Sequence, residues 1–311
     1  MSALINDFDR VRSWDQRNFL HPWEGMAERG RSERTFVEAA EGIHVRDEKG
    51  RDLIDGPGGM WCVQIGYGRR EMAEAIADQA LKMTYFSPFS MGNSVTATLA
   101  HKIAERTPGD LNNVFFTTGG STAVDTAVRF VQFHNNVLGK PGKKIVISRE
   151  NAYHGASYLS ATLSGKGRDR NWFDHADELV HFLPDVNPYR RPEGMSEEAF
   201  LDAKVADLED AILRLGADRV AAFIAEPLLA SGGVIVPPKG YHKRRFAVCR
   251  RHDVLHISAA VATGFGRLGH WSASQDVSGL TPDLILSAKA LTSASVPLRP
   301  SSDSSPFPPE R

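Results

Sequence analysis

Apolar positions along most of this chain fall into two alternating rhythms. Short runs rich in valine, isoleucine, leucine and phenylalanine at 113–117, 144–148, 178–182, 219–225, 254–258 and 283–286 have the length of buried strands. Between and before them, the patterning predicts helices over 69–83, 94–106, 121–138, 154–164, 197–215 and 240–251, with Asn93 or Ser94 as the cap of the second. Strands that alternate with helices over this length predict an α/β fold with a mostly parallel central sheet wrapped by helices. Ahead of this region, 35–55 carries short alternating runs broken by Gly42 and Gly50, the signature of a small antiparallel hairpin. Residues 1–35 show no clean period and read as an irregular arm with room for one helix. The chain therefore divides into an N-terminal segment over 1–68, a large domain over 69–298, and a Pro/Ser-rich stretch over 299–311 that has no period and is expected to be disordered. No internal repeat is present.

Composition narrows the function classes. A chain of 311 residues with 41% hydrophobic content can bury a large core, and 37 basic against 38 acidic residues give no electrostatic pull toward nucleic acid or a membrane surface. A small-molecule enzyme fits this balance. The first residues lack an apolar segment behind a basic start, and no run approaches the ~18 apolar residues of a membrane span, so the expectation is a cytoplasmic protein. Cys62 and Cys249 are too few for a disulfide framework and read as inert thiols.

Several residues have chemistry worth weighing. Lys289 ends the apolar run Asp283-Leu284-Ile285-Leu286-Ser287-Ala288, and an amine delivered to an apolar site is what a Schiff-base lysine needs, although most lysines are solvated surface charges. Gly119-Gly120-Ser121 lies between a predicted strand and a predicted helix, where free backbone N–H groups and the helix dipole favour an anion, although such turns also serve as plain caps. Tyr153, in Asn151-Ala152-Tyr153-His154-Gly155, can lie flat against a planar ring or simply pack, and His154 reads as a structural histidine. Glu226, followed by Pro227, emerges at the carboxyl end of an apolar strand, where open α/β sheets bind ligands; an ion pair or cap is the plain alternative. Gly264-Phe265-Gly266-Arg267-Leu268-Gly269 formally matches G-x-G-x-x-G, but no good helix start follows it, which argues against a dinucleotide site. Lys243-Arg244-Arg245 reads as a solvated basic face, and His252 and His256 lack further ligands at metal spacing, so no metal site is expected.

Taken in order, the Gly119-Gly120-Ser121 turn, the Tyr153-His154-Gly155 segment, Glu226-Pro227, the Thr263-Gly264-Phe265-Gly266-Arg267 loop and Lys289 resemble the class III aminotransferases, pyridoxal 5'-phosphate (PLP) enzymes of fold type I. The resemblance covers about residues 10–298. It implies that Gly120 and Ser121 hold the PLP phosphate, that Tyr153 stacks on the ring, that Glu226 lies beside it and Val261 packs on its other face, and that Lys289 is both cofactor anchor and proton shuttle. It further implies Trp61, Tyr85 and Phe89 at the substrate pocket and dimer interface, an amine or amino acid and a keto acid such as pyruvate as substrates, and a homodimer.

Two departures from the family pattern stand out. Family members read Asp-Glu-Val where this chain has Ala259-Ala260-Val261, and that aspartate pairs with the pyridine nitrogen of PLP. Losing such a charge partner costs about 3 kcal/mol, roughly a hundredfold in rate. Beyond Leu298 the resemblance stops, so most of the family's C-terminal domain, including a substrate-carboxylate arginine, is expected to be missing. Two readings follow: an aminotransferase impaired by these changes, or a truncated non-catalytic remnant that binds PLP weakly or not at all.

Overall fold

A computed structural model describes residues 7–31, 33–296 and 299–303. The chain forms two compact units, one comprising the chain up to Met60 with Ile65–Asp78, the other Trp61–Gln64 with the chain from Gln79 onward. The first unit thus continues past residue 68, where the sequence suggested a boundary.

In the first unit, helix α1 (Phe8–Asn18) is capped by Asp7, whose carboxylate accepts from the Arg10 N–H. The expected hairpin is a three-stranded antiparallel sheet of β1 (Val37–Glu41), β2 (His44–Asp47) and β3 (Asp52–Ile54). Asp47 closes the β2–β3 turn by accepting from the backbone of Lys49 and Arg51 and from the Arg51 guanidinium. Helix α2 (Arg70–Lys82) follows, of which the first unit takes the part up to Asp78.

The second unit begins its regular structure with α3 (Ser94–Ala104), whose Asn93 side chain accepts from the N–H groups of Val95 and Thr96 and so fixes the start. Next come β4 (Asn113–Thr117), α4 (Gly120–Val137), β5 (Ile145–Arg149), the short helices α5 (Tyr158–Thr162) and α6 (Gly167–Arg170), and β6 (Val180–Leu183). Helix α7 (Glu197–Leu215), β7 (Val220–Ala225), α8 (Tyr241–Arg251), β8 (Leu255–Ala259), β9 (Leu284–Leu286) and β10 (Arg299–Asp303) complete it. The seven strands form one sheet in the order β4-β10-β9-β8-β7-β5-β6. The pairs β6–β5, β5–β7, β7–β8 and β8–β9 are parallel, while β10 runs antiparallel to both β4 and β9.

Every residue of β7 is buried, as a parallel strand covered on both faces requires. Phe223 and Ala225 pack on one face with Leu208 and Ile212 of α7 and Val248 of α8, and Ala222 and Ile224 pack on the other with Val124, Ala127 and Val131 of α4. Each fully buried valine, leucine, isoleucine or phenylalanine among these contributes about 1.5–3 kcal/mol. Among the described residues, no helix is long and apolar enough to cross a membrane.

Three expectations need correction. The helix over 154–164 shrinks to α5, because Gly155 at φ 144° turns the chain and Ser157 begins the helix in extended geometry. The Pro/Ser-rich stretch is not wholly irregular: 299–303 forms β10, since backbone ladders with β4 and β9 need no apolar pattern; 304–311 lies outside the described residues. Arg245 does not belong to a solvated face. It is 2% exposed, its guanidinium lying 4.5 Å from the Phe223 ring centre.

Candidate active site

Strands β4, β7, β8 and β9 deliver their carboxyl ends, and the loops that follow them, to one cavity of about 190 Å³. Its wall includes Trp61, Gly120, Ser121, Tyr153, Glu226, Ala259, Val261 and Lys289. Residues distant in sequence meet here because parallel strands all point their carboxyl ends to the same edge of the sheet.

The β4–α4 turn supplies one end of the cavity. Helix α4 is 18 residues long, and Gly119 precedes it in extended geometry, its N–H donating to Thr122 Oγ1 at 2.9 Å. The N–H groups of a helix's first turn have no intrahelical acceptor, so Gly120 and Ser121 stand where an anion is favoured. Gly120 is pressed against the opposite wall: a Cβ there would lie 3.3 Å from Val261 Cγ1. The Ser121 hydroxyl oxygen accepts from the Ala156 N–H at 3.0 Å.

Lys289 opens the short turn after β9, its N–H donating to the Val261 carbonyl at 3.3 Å, which fixes both residues on one side of the cavity. Its ammonium nitrogen lies 5.0 Å from the Trp61 ring centre. Trp61 is held there by the segment it begins, since the Gln64 N–H donates to Ser293 Oγ at 2.8 Å just beyond the lysine turn.

Glu226 is 7% exposed and accepts from two backbone donors, the N–H of Tyr153 on Oε1 and that of Ala230 on Oε2, both at 3.2 Å. Burial pushes its carboxyl up to about 7 against the charges of Arg149 and Lys289 and those two hydrogen bonds. Arg149, fully buried at the end of β5, donates to the Glu226 carbonyl at 2.8 Å. Burial also raises the Tyr153 hydroxyl, with Asp169 adding to the shift.

Of the residues singled out in the sequence, Gly120, Ser121, Tyr153, Glu226, Val261, Lys289 and Trp61 share this cavity. Tyr85 and Phe89 do not line it; they are 76% and 98% exposed. Sequence reasoning read His154 as structural and assigned no role to Gly155, yet both line the cavity. His154 lines the cavity, is 5% exposed, and neither ring nitrogen has a hydrogen-bond partner. Burial, reinforced by the Arg149 charge, pushes it down to about 3, so the ring is neutral. Its only sequence signal is adjacency to Tyr153.

The family model described as Aminotransferase class-III matches residues 26–303. The chain belongs to the class-III aminotransferases. The chain is 42% identical over 266 residues to a diaminobutyrate–2-oxoglutarate transaminase of Halomonas elongata, covering 84% of the chain and 56% of that enzyme. It is 36% identical over 296 residues to a putrescine–pyruvate aminotransferase of Pseudomonas aeruginosa, covering 93% and 64%. Among solved structures, it superimposes on the omega transaminase from Pseudomonas jessenii in complex with PMP with a TM-score of 0.93 at 36% identity, covering 95% of this chain and 66% of that one. The chain thus spans less than two thirds of the length of these relatives. Its fold is the α/β fold type I of PLP transaminases.

PLP is the cofactor of class-III aminotransferases, and the residues present fit it. The glycine against Val261 and the serine at a helix N-terminus suit a phosphate, the two ring nitrogens of the lining residue His154 have no hydrogen-bond partner, and Lys289 supplies an amine. Ala259, 3% exposed at the end of β8, lines the cavity with a methyl group in place of a carboxylate.

Proposed function

We propose that this chain holds PLP in the cavity at the carboxyl ends of β4, β7, β8 and β9 and transfers an amino group from an amine or ω-amino acid to a keto acid such as pyruvate. The observation that carries this reading is the convergence of Lys289, Gly120 and Ser121 on one cavity. The named substrates of the relatives, putrescine with pyruvate and diaminobutyrate with 2-oxoglutarate, support donors with a terminal amine and keto-acid acceptors.

When bound, PLP supplies a carbonyl carbon for amines and a ring that withdraws electrons from the substrate Cα. The residues of the chain do the rest. Ser121 and the first N–H groups of α4 bind the phosphate and set its position. Tyr153 and Val261 orient the ring by contact with its faces. Glu226 fixes the backbone of Tyr153 and Ala230, so it holds the Tyr153 side of the wall in register with β7. Lys289 anchors the cofactor and, once displaced by substrate, its Nζ takes the proton from the substrate Cα. Trp61, its ring centre 5.0 Å from Nζ, flanks that nitrogen. Exposed Tyr85 and Phe89 support a second copy of the chain covering them, the homodimer that the resemblance implies.

A second reading, cofactor retention with little turnover, is favoured by Ala259, which leaves Glu226 as the one acid among the described lining residues. Incubation with PLP, borohydride reduction and peptide mass spectrometry, run beside an assay for alanine formed from pyruvate and putrescine, separates the two. Label on Lys289 with alanine formed supports transfer. Label without alanine supports retention alone, and absence of label on Lys289 sinks both.

A further inference from the structure

Among the described residues lining the cavity, Lys289 is the one cation, and the reading above commits its amine to the cofactor. A keto acid or amino acid brings a carboxylate as well, and a carboxylate in a half-buried site needs a cationic partner. A second lysine is hydrogen-bonded to a residue of the cavity wall. Lys166 donates from Nζ to Ser231 Oγ at 2.7 Å, and Ser231 lines the cavity beside Ala230, whose N–H is bonded to Glu226.

Two glycines bring this pair together. A Cβ on Gly165 would collide with the Arg149 carbonyl oxygen, and Gly165 forms a bridge with Glu150. A Cβ on Gly232 would lie 2.8 Å from the Asn151 carbonyl oxygen. Both flanking segments therefore lie against the backbone of the turn after β5, and the residues next to those glycines, Lys166 and Ser231, meet. Lys166 caps α6 from extended geometry, so its side chain is not drawn along that helix.

Its charge has no carboxylate partner. Among the described residues no ion pair joins Lys166, and the nearest acid in sequence, Asp169, is paired with Arg168 at 2.9 Å. Burial pushes the Lys166 amine down, with the Arg168 charge acting in the same sense, while the negative charges of Asp169 and Glu226 act against it.

We propose that Lys166 is a specificity-determining residue whose ammonium, with the Ser231 hydroxyl, receives the carboxylate of a keto-acid or amino-acid substrate at the edge of the cavity. The inference rests on the aminotransferase reading and adds to it a preference for substrates that carry a carboxylate. Nothing covalent is involved: the carboxylate enters the first shell of Nζ, and the Lys166–Ser231 bond becomes one of three that the ammonium can donate.

The test uses the full chain loaded with PLP, in the wild type and in Lys166→Met and Lys166→Arg, with borohydride labelling of Lys289 as the check on loading. Propionate, a carboxylate with no reactive carbonyl or amine, is titrated against the absorbance of the bound cofactor. Labelling is expected to be equal in all three. Propionate is expected to bind the wild type and Lys166→Arg within about threefold of each other, and Lys166→Met at least about tenfold more weakly, as loss of a charge-assisted bond requires. In turnover, the Met variant should raise KM for pyruvate at least about tenfold while leaving KM for propanal, which has no carboxylate, unchanged. Equal propionate affinity in Lys166→Met, or no response to propionate in a labelled wild type, overturns the assignment and leaves the aminotransferase reading standing. No label on wild-type Lys289 removes that reading and the assignment with it.

Discussion

A Cβ on Gly155 would lie 2.5 Å from the hydroxyl oxygen of Ser121 and 2.8 Å from its Cα. The backbone after Tyr153 therefore lies directly on the first turn of α4, and the adjacent Ala156 N–H ties it to the Ser121 hydroxyl. Gly155 also adopts φ 144°, which L residues rarely populate. Gly155→Ala is expected to displace Ser121 and weaken PLP retention on dialysis by at least about tenfold, with the far-ultraviolet circular dichroism unchanged. Retention equal to wild type would show that Ser121 does not position the phosphate.

Arg245 is a buried cation with a poor set of partners. Its Nη2 donates to His242 Nδ1 at 2.8 Å, but Nε and Nη1 have no acceptor, and burial pushes its guanidinium down to about 9. Replacing a buried charge by an apolar group of similar length is commonly neutral or stabilising by about 1–4 kcal/mol. Arg245→Met leaves His242 Nδ1 without its donor, which offsets part of that gain. We expect a net rise of about 1–2 kcal/mol in urea unfolding; a loss of more than that amount would mean the cation–π contact with Phe223 dominates.

Stability should fall on mild acidification. Burial and neighbouring positive charges hold His154, His242 and His256 neutral, with His154 at about 3 and the other two well below their ordinary value of 6.5. Their folded-state pKa lies below the unfolded one, so the unfolded chain binds more protons and stability is lost as pH falls below about 6.5. Glu226, raised from 4.5 to about 7, acts in the opposite sense, and stability from it falls as pH rises between those values. His181, also lowered by burial, adds to the histidines, and Asp283, raised by burial, adds to Glu226; four groups against two predict a lower urea midpoint at pH 5 than at pH 7. Glu226→Gln removes one of the two opposing groups, so its drop between the same pH values should be steeper than that of the wild type; a flat profile in both would refute this account.

Ala259→Asp places a carboxylate in a wall that is 3% exposed. Without cofactor it is expected to cost about 1–3 kcal/mol, because the group has no hydrogen-bond partner there. With PLP bound, the cost should be recovered by pairing with the ring nitrogen, and the thermal midpoint gained on adding PLP should exceed that of the wild type. Equal gains in the two proteins would mean that position 259 does not face the ring nitrogen.

Much of the second unit was legible because its elements announce themselves locally. The strand at Asn113–Thr117 and the helix at Glu197–Leu215 have the bounds that the sequence indicated, and the other strands differ by a residue or two at their ends. Where the sequence misled, the deciding force was not local. Arg245 sits in a basic run yet faces the core, because α8 packs against β7 and β8 on that side. His154 looks like any structural histidine until its unpartnered nitrogens are placed in the cavity wall.

Alone, the sequence determined the alternation of strand and helix, the parallel sheet, and the identity of Lys289, Gly120, Ser121, Tyr153, Glu226 and Val261 as one set. Periodicity and turn chemistry act over a few residues, and motif order survives without coordinates. Tertiary structure alone decided that Gly155 presses on Ser121, that Tyr85 and Phe89 stand outside the cavity, that Lys166 meets Ser231, and that 299–303 closes the sheet between β4 and β9. These are contacts between backbones far apart in the chain, set by close approach and hydrogen bonding in three dimensions, and no local pattern encodes them.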